Sequence, residues 1–104
     1  MTITDKDDEL LRAKINGETA RLPWTELQRF FAAGCVIVVS AELDLVEVAL
    51  KIATDNKTTV AQWTTEQRLR KATDVQANAW LESDASLWTV VVKPWILVQQ
   101  EKLH

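Results

Sequence analysis

Apolar and polar residues follow two periods along this chain, one helical and one extended, and the clearest helical case is Leu43 to Thr54, LDLVEVALKIAT. At about 100° per residue, Asp44, Glu47, Lys51 and Asp55 fall in one stripe and the remaining positions form an apolar arc about 220° wide. A helix at a protein surface needs an apolar face little wider than about 100°. This one is therefore expected to be the central helix, covered on two sides. Ser40 is the expected N-cap, with Glu42 and Asp44 in the positive first turn, and Glu47 precedes Lys51 at the favourable i,i+4 spacing.

The same reading, taken in order, predicts four further helices. Thr4-Asp5-Lys6-Asp7 has capping-box spacing and opens a helix ending near Asn16-Gly17. Leu10, Leu11 and Ile15 are its only large apolar residues, so it should lie across the surface of the domain or dock on another chain. A second helix runs from Pro23, at its first position, to Gly34 just past its end, with Trp24, Leu27, Phe30 and Phe31 on one face. Asp55-Asn56 breaks the central helix, and a further helix from Lys57 to Gln67 turns Val60 and Trp63 inward. Thr73 to Gln76 is a capping box for the last helix, which reaches Glu82 and buries Ala77, Trp80 and Leu81.

Extended segments come from apolar runs too short for helices. Cys35 to Val39 is such a run, β-branched, and reads as a buried central strand. Arg68 to Ala72 is at most a short strand. Leu87 to Gln100, LWTVVVKPWILVQQ, is the strongest strand signal, interrupted only at Lys93-Pro94. Tight hairpin turns use positive φ, which proline cannot adopt, so the segment reads as one long strand with a bulge or edge position at Pro94. Along it Trp88, Val90 and Val92 share one face and Leu87, Thr89 and Val91 the other. The expected architecture is a single α+β or α/β domain, residues 1–104, with a small sheet of three to four strands covered by four to five helices and frayed ends at 1–4 and 101–104.

Composition narrows the functions rather than the fold. The chain has 104 residues, enough for one domain that buries roughly 60% or more of its unfolded surface. A net charge of −3 disfavours nucleic acid as a partner, so the cluster Arg68, Arg70 and Lys71 reads as a solvated strand edge. One cysteine, Cys35, excludes an internal disulfide and reads as a small buried hydrophobe. There is no signal-peptide pattern and no apolar run near the roughly 20 residues of a membrane span, so a cytoplasmic protein without membrane contact is expected.

Catalytic parts are scarce. The single histidine is His104, the last residue, and there is no tyrosine, so a Ser-His or Cys-His pair would need a terminal base. One Cys and one His cannot build a zinc or iron–sulfur site. Asp5, Asp7, Asp8 and Glu9 could offer oxygen ligands to a hard cation but read as acids favouring a helix N-terminus. Gly17 and Gly34 are isolated, so no phosphate-binding loop exists. No catalytic residue, metal or cofactor is assigned. An enzyme using only carboxylates, such as Asp44 or Glu47, ranks below a binding role.

Three stretches, Glu18 to Trp24 (ETARLPW), Leu43 to Ala49 (LDLVEVA) and Val90 to Trp95 (VVVKPW), together resemble a family of short bacterial proteins catalogued as a domain of unknown function and found mostly in proteobacteria and cyanobacteria. The resemblance implies a free-standing cytoplasmic protein and carries no activity, so no residue role transfers from it. Two functional expectations follow from the residues themselves. The first is a non-catalytic protein that self-associates, as a homodimer, through apolar strand and helix surfaces, with Trp88, Val90, Val92 and Ile96 at the interface. The alternative is a small-molecule binding domain with a tryptophan-lined pocket near Trp95 and with Glu18 or Arg21 as polar anchor. A local ion pair between Glu18 and Arg21 is the plainer reading of those two charges.

Overall fold

Ten elements joined by short connections make up the computed structural model, which describes residues 5–100. In chain order they are α1 (Asp5–Glu18), β1 (Ala20–Pro23), α2 (Trp24–Ala32), β2 (Val36–Val39), α3 (Leu45–Ala53), α4 (Lys57–Thr65), β3 (Leu69–Lys71), α5 (Asp74–Glu82), β4 (Ser86–Val92) and β5 (Trp95–Gln99). The strands form one mixed sheet in the order β1-β4-β5-β2-β3, in which β2 and β5 run parallel and every other pair is antiparallel. Five helices on a five-stranded sheet is the expected α+β class, with at least one strand more than the pattern predicts. Among the described residues no helix is long and apolar enough to cross a membrane. Thr4, His104 and the side chains of Asp5 and Asp7 lie outside what is described.

The register sorts the sheet residues into two faces. Ile37, Val39, Leu69, Val90 and Leu97 face α1, α3 and α4. Val36, Val38, Leu87, Ile96 and Val98 face α2 and α5, where Trp24 and Trp80 meet at 4.9 Å between ring centroids. The central helix is as expected: Leu45, Val48 and Ala49 are fully buried, with α1 and α4 on its flanks and β4 and β5 beneath it. Each buried Leu or Val contributes about 1.5–3 kcal/mol, against about 0.2–0.5 kcal/mol for an i,i+4 pair on a helix surface, so packing holds α3 in place. Helix α1 lies on α3 and β4 through Ile15, which is buried, and Leu11.

Several helix ends follow their sequence signals. Thr73 and Gln76 complete both halves of the capping box. Gly34, at φ 77°, closes α2: its N–H donates to Phe31 O and the Cys35 N–H donates to Phe30 O, the paired bonds of a Schellman motif. Helices α3, α4 and α5 end in the same way on Asp55, Gln67 and Asp84, at φ 58°, 60° and 52°, where no glycine announces the turn.

The start of α3 differs from expectation. Asp44, not Ser40, is the N-cap, its Oδ1 accepting from the Val46 and Glu47 N–H groups. Ser40 stands outside because Leu43 N–H donates to Ser40 O and closes a turn. The Gln99 side chain clamps that turn from β5, its Nε2 donating to Ser40 O at 2.8 Å and Leu43 O at 2.7 Å. Glu47, expected to pair with Lys51, instead accepts from Arg12 Nε and Nη2 at 3.2 and 3.0 Å and so ties α1 to α3.

Three further expectations are corrected. Ala20–Pro23, for which no strand is expected, is strand β1, paired with β4, and Pro23, expected at the first position of the second helix, is that helix's N-cap instead. Leu81 is 49% exposed because Trp80, wedged against Trp24, sets the rotation of α5. Lys93-Pro94 is a two-residue hairpin connection after all, with Val92 opposite Trp95. Neither Lys93 nor Pro94 has positive φ, so the turn is not one of the tight types that proline excludes. The hairpin puts Trp95 on the same face as Val90 and Val92, and Ile96 on the other.

Gln99→Leu should destabilise the fold by about 2 kcal/mol, because the Leu43 carbonyl loses its side-chain donor. Urea unfolding measures this, and a loss below about 0.5 kcal/mol would mean that the clamp contributes nothing. Gln67→Gly should raise stability by about 0.5–1 kcal/mol in the same assay, because glycine carries no left-handed penalty.

Candidate functional site

Helix α4 reaches the sheet with few apolar side chains. None of its residues is fully buried, and Val60 and Trp63 are the two that pack on the core. Both its ends are fixed: Asn56 caps the start by accepting from Thr59 N–H, and Arg68 N–H donates to Trp63 O beyond the end. Arg68 O then accepts from Ser40 N–H, which draws the chain into β3 at the sheet edge. A helix held at both ends but thinly filled between them stands off the sheet and leaves a cleft.

The cleft has a volume of about 620 Å³. Ile37 of β2, Leu69 of β3 and Trp95 of β5 line it from the sheet, and Ile52 of α3 and Val60 of α4 line it from the helices. Thr64, Gln67, Arg70 and Lys71 complete the lining. Thr64 Oγ1 donates to Val60 O, so its hydroxyl serves the helix. Lys71 stands opposite Ile37 in the register and so shares the cleft's side of the sheet. Its Nζ lies above the Gly34 turn, 3.9 Å from where a Cβ on that glycine would stand. A second recess of about 420 Å³ lies among Ser40, Arg70, Gln76, Gln99 and Gln100, and there Gln99 is already committed to the clamp.

Of the residues singled out from sequence, Trp95 is in the cleft. Glu18 and Arg21 are not: they stand at the opposite edge of the sheet. There the Arg21 guanidinium lies over the Trp88 ring at 5.7 Å, and its Nη2 donates to Ser86 O at 3.4 Å, so Arg21 turns to Trp88 rather than to Glu18. Val90 and Ile96 are 1% and 4% exposed in a single chain and belong to opposite faces of the sheet, so they do not form one surface patch with Trp88 and Val92. Trp88 and Val92 are half-buried against the core under α1 and α3. Asp44 and Glu47 are engaged as the N-cap and as the partner of Arg12. Cys35 is half-buried, with Sγ 3.8 Å from Ala33 O.

Sequence reasoning missed Ile37, Ile52, Val60 and Leu69 as cleft residues because each fits an ordinary core face. One signal was available: a helix with only two inward residues, three apart, is too narrow to seal a sheet.

Comparison with known proteins agrees with the fold. No curated protein matches. A solved structure, the NMR solution structure of PA1075 from Pseudomonas aeruginosa, is similar at 42% sequence identity and a TM-score of 0.76, over 97% of this chain and 94% of that one. A sequence profile matches residues 10–100, and the chain thereby belongs to the bacterial family described as protein of unknown function (DUF2288).

Proposed function

We propose that this protein is a non-catalytic binding domain whose ligand is a small, largely apolar molecule held between α4 and the sheet, with Trp95 as one wall. The cleft carries this reading. Its volume of about 620 Å³ falls within the range of about 300–1,000 Å³ usual for small-molecule sites. Five apolar side chains from three strands and two helices converge on it, beside the polar Thr64, Gln67, Arg70 and Lys71.

Most of the apolar surface that favoured self-association is covered inside one chain, Val91 of β4 at 52% exposure being the exception. Both sheet faces carry helices, and the wide apolar arc of α3 is taken up by α1, α4 and the sheet. An open apolar recess is what one chain leaves uncovered, which favours the pocket reading over the homodimer.

Magnitudes set the affinity. Burying about 300 Å² of apolar surface on binding contributes about 7 kcal/mol, of which at least about 4 is offset by lost translational and rotational freedom. The remainder of about 3 kcal/mol corresponds to a Kd of several millimolar for an uncharged apolar ligand. Titration with octanol, followed by NMR, should therefore move the methyl signals of Ile37, Ile52, Val60 and Leu69 and the indole N–H of Trp95 with a Kd of about 1–10 mM. Val60→Trp, which fills the cleft from α4, should abolish those shifts. Shifts that are absent in the natural protein, or unchanged in the variant, would contradict the reading.

A further inference from the structure

The charges around the cleft are one-sided. In a chain with more Asp and Glu than Lys and Arg, 15 against 12, no acidic side chain lines the cleft, while Arg70 and Lys71 both do. Of the other cations at this end, Arg68 pairs with Glu66 at 3.2 Å and Glu42 at 3.9 Å and Lys57 with Asp55 at 3.9 Å, while Lys51 and Lys93 are outside the cleft lining. Among the described residues neither Arg70 nor Lys71 is ion-paired. The two also differ in placement. Arg70 stands opposite Val38, on the side of the sheet that faces α2 and α5, whereas Lys71 stands opposite Ile37 on the side of the cleft.

From this juxtaposition we infer that the ligand is an amphipathic carboxylate: an apolar body between Val60 and Trp95, and one anionic head at the Lys71 ammonium, beside the Gly34 turn. The inference rests on the cleft being a ligand site and adds the chemistry of the head group. Apolar contact alone supports only millimolar affinity, so a submillimolar ligand needs a polar anchor, and a charge-assisted hydrogen bond to Lys71 supplies one. A lysine on an edge strand also discourages strand-to-strand association. That role by itself makes no distinction between a carboxylate and an alcohol.

The test compares octanoate with octanol by calorimetry and NMR on the full chain. Octanoate should bind about tenfold tighter than octanol, the size of one charge-assisted contact at a partly solvated site. Lys71→Gln should reduce octanoate to within about twofold of octanol and leave octanol unchanged, while Lys71→Arg keeps most of the preference. Lys14→Gln removes the same charge from an exposed position on α1, outside the cleft lining, and should cost octanoate less than about twofold. Equal binding of the two probes, a preference that survives Lys71→Gln, or an equal loss in Lys14→Gln would overturn the head-group assignment while leaving the cleft as a site. If neither probe binds the natural protein, the cleft reading fails and this inference with it.

Discussion

Burial of α3 is the constraint on which the rest of the structure depends. Its apolar arc is too wide to be met by the sheet alone, so it needs covers on both flanks as well as a floor. Helix α1 supplies one flank through Ile15, Leu11 and the Arg12–Glu47 contact, and α4 supplies the other through Val60 and Trp63. The sheet supplies the floor with Val90 and Leu97. The turn before α3 has to be held where Asp44 can cap it, and Gln99, reaching across from β5, does that.

The cleft follows from how unequal the two flanks are. The long α1, 14 residues, lies along α3 and β4, whereas α4 has nine residues and no fully buried side chain. It reaches α3 and the edge strand β3 but does not close down over Ile37 and Trp95. A site of this kind costs the fold little, because the apolar surface left open belongs to residues whose other sides already serve the core.

Much of the fold was legible in the sequence because it rests on local signals. The wide arc of α3, the capping box at Thr73, glycine at the end of α2 and the β-branched run of β2 each report short-range physics, and each is found where the pattern put it. What was not legible depends on longer range. Strand β1 has four residues and no alternation of its own, and exists because β4 offers it a ladder. The hairpin at Lys93-Pro94 carries none of the glycine or asparagine that marks a tight turn, and is set by the pairing of β4 with β5. One consequence of that hairpin reached the candidate site: counting Ile96 with Trp88, Val90 and Val92 treats two strands as one, and the chain reversal sends Ile96 to the opposite face. Trp95 lines the cleft, whereas its expected anchors Glu18 and Arg21 lie at the far edge of the sheet, because strand order is set by pairing across the whole chain.

The most direct measurement is a set of intermolecular nuclear Overhauser effects from the protons of octanoate bound to the isotopically labelled protein. Binding in the cleft predicts contacts from its terminal methyl group to the Val60 methyls and the Trp95 ring. Contacts to Trp88 and Arg21 at the opposite edge of the sheet, or none to either site, would contradict it.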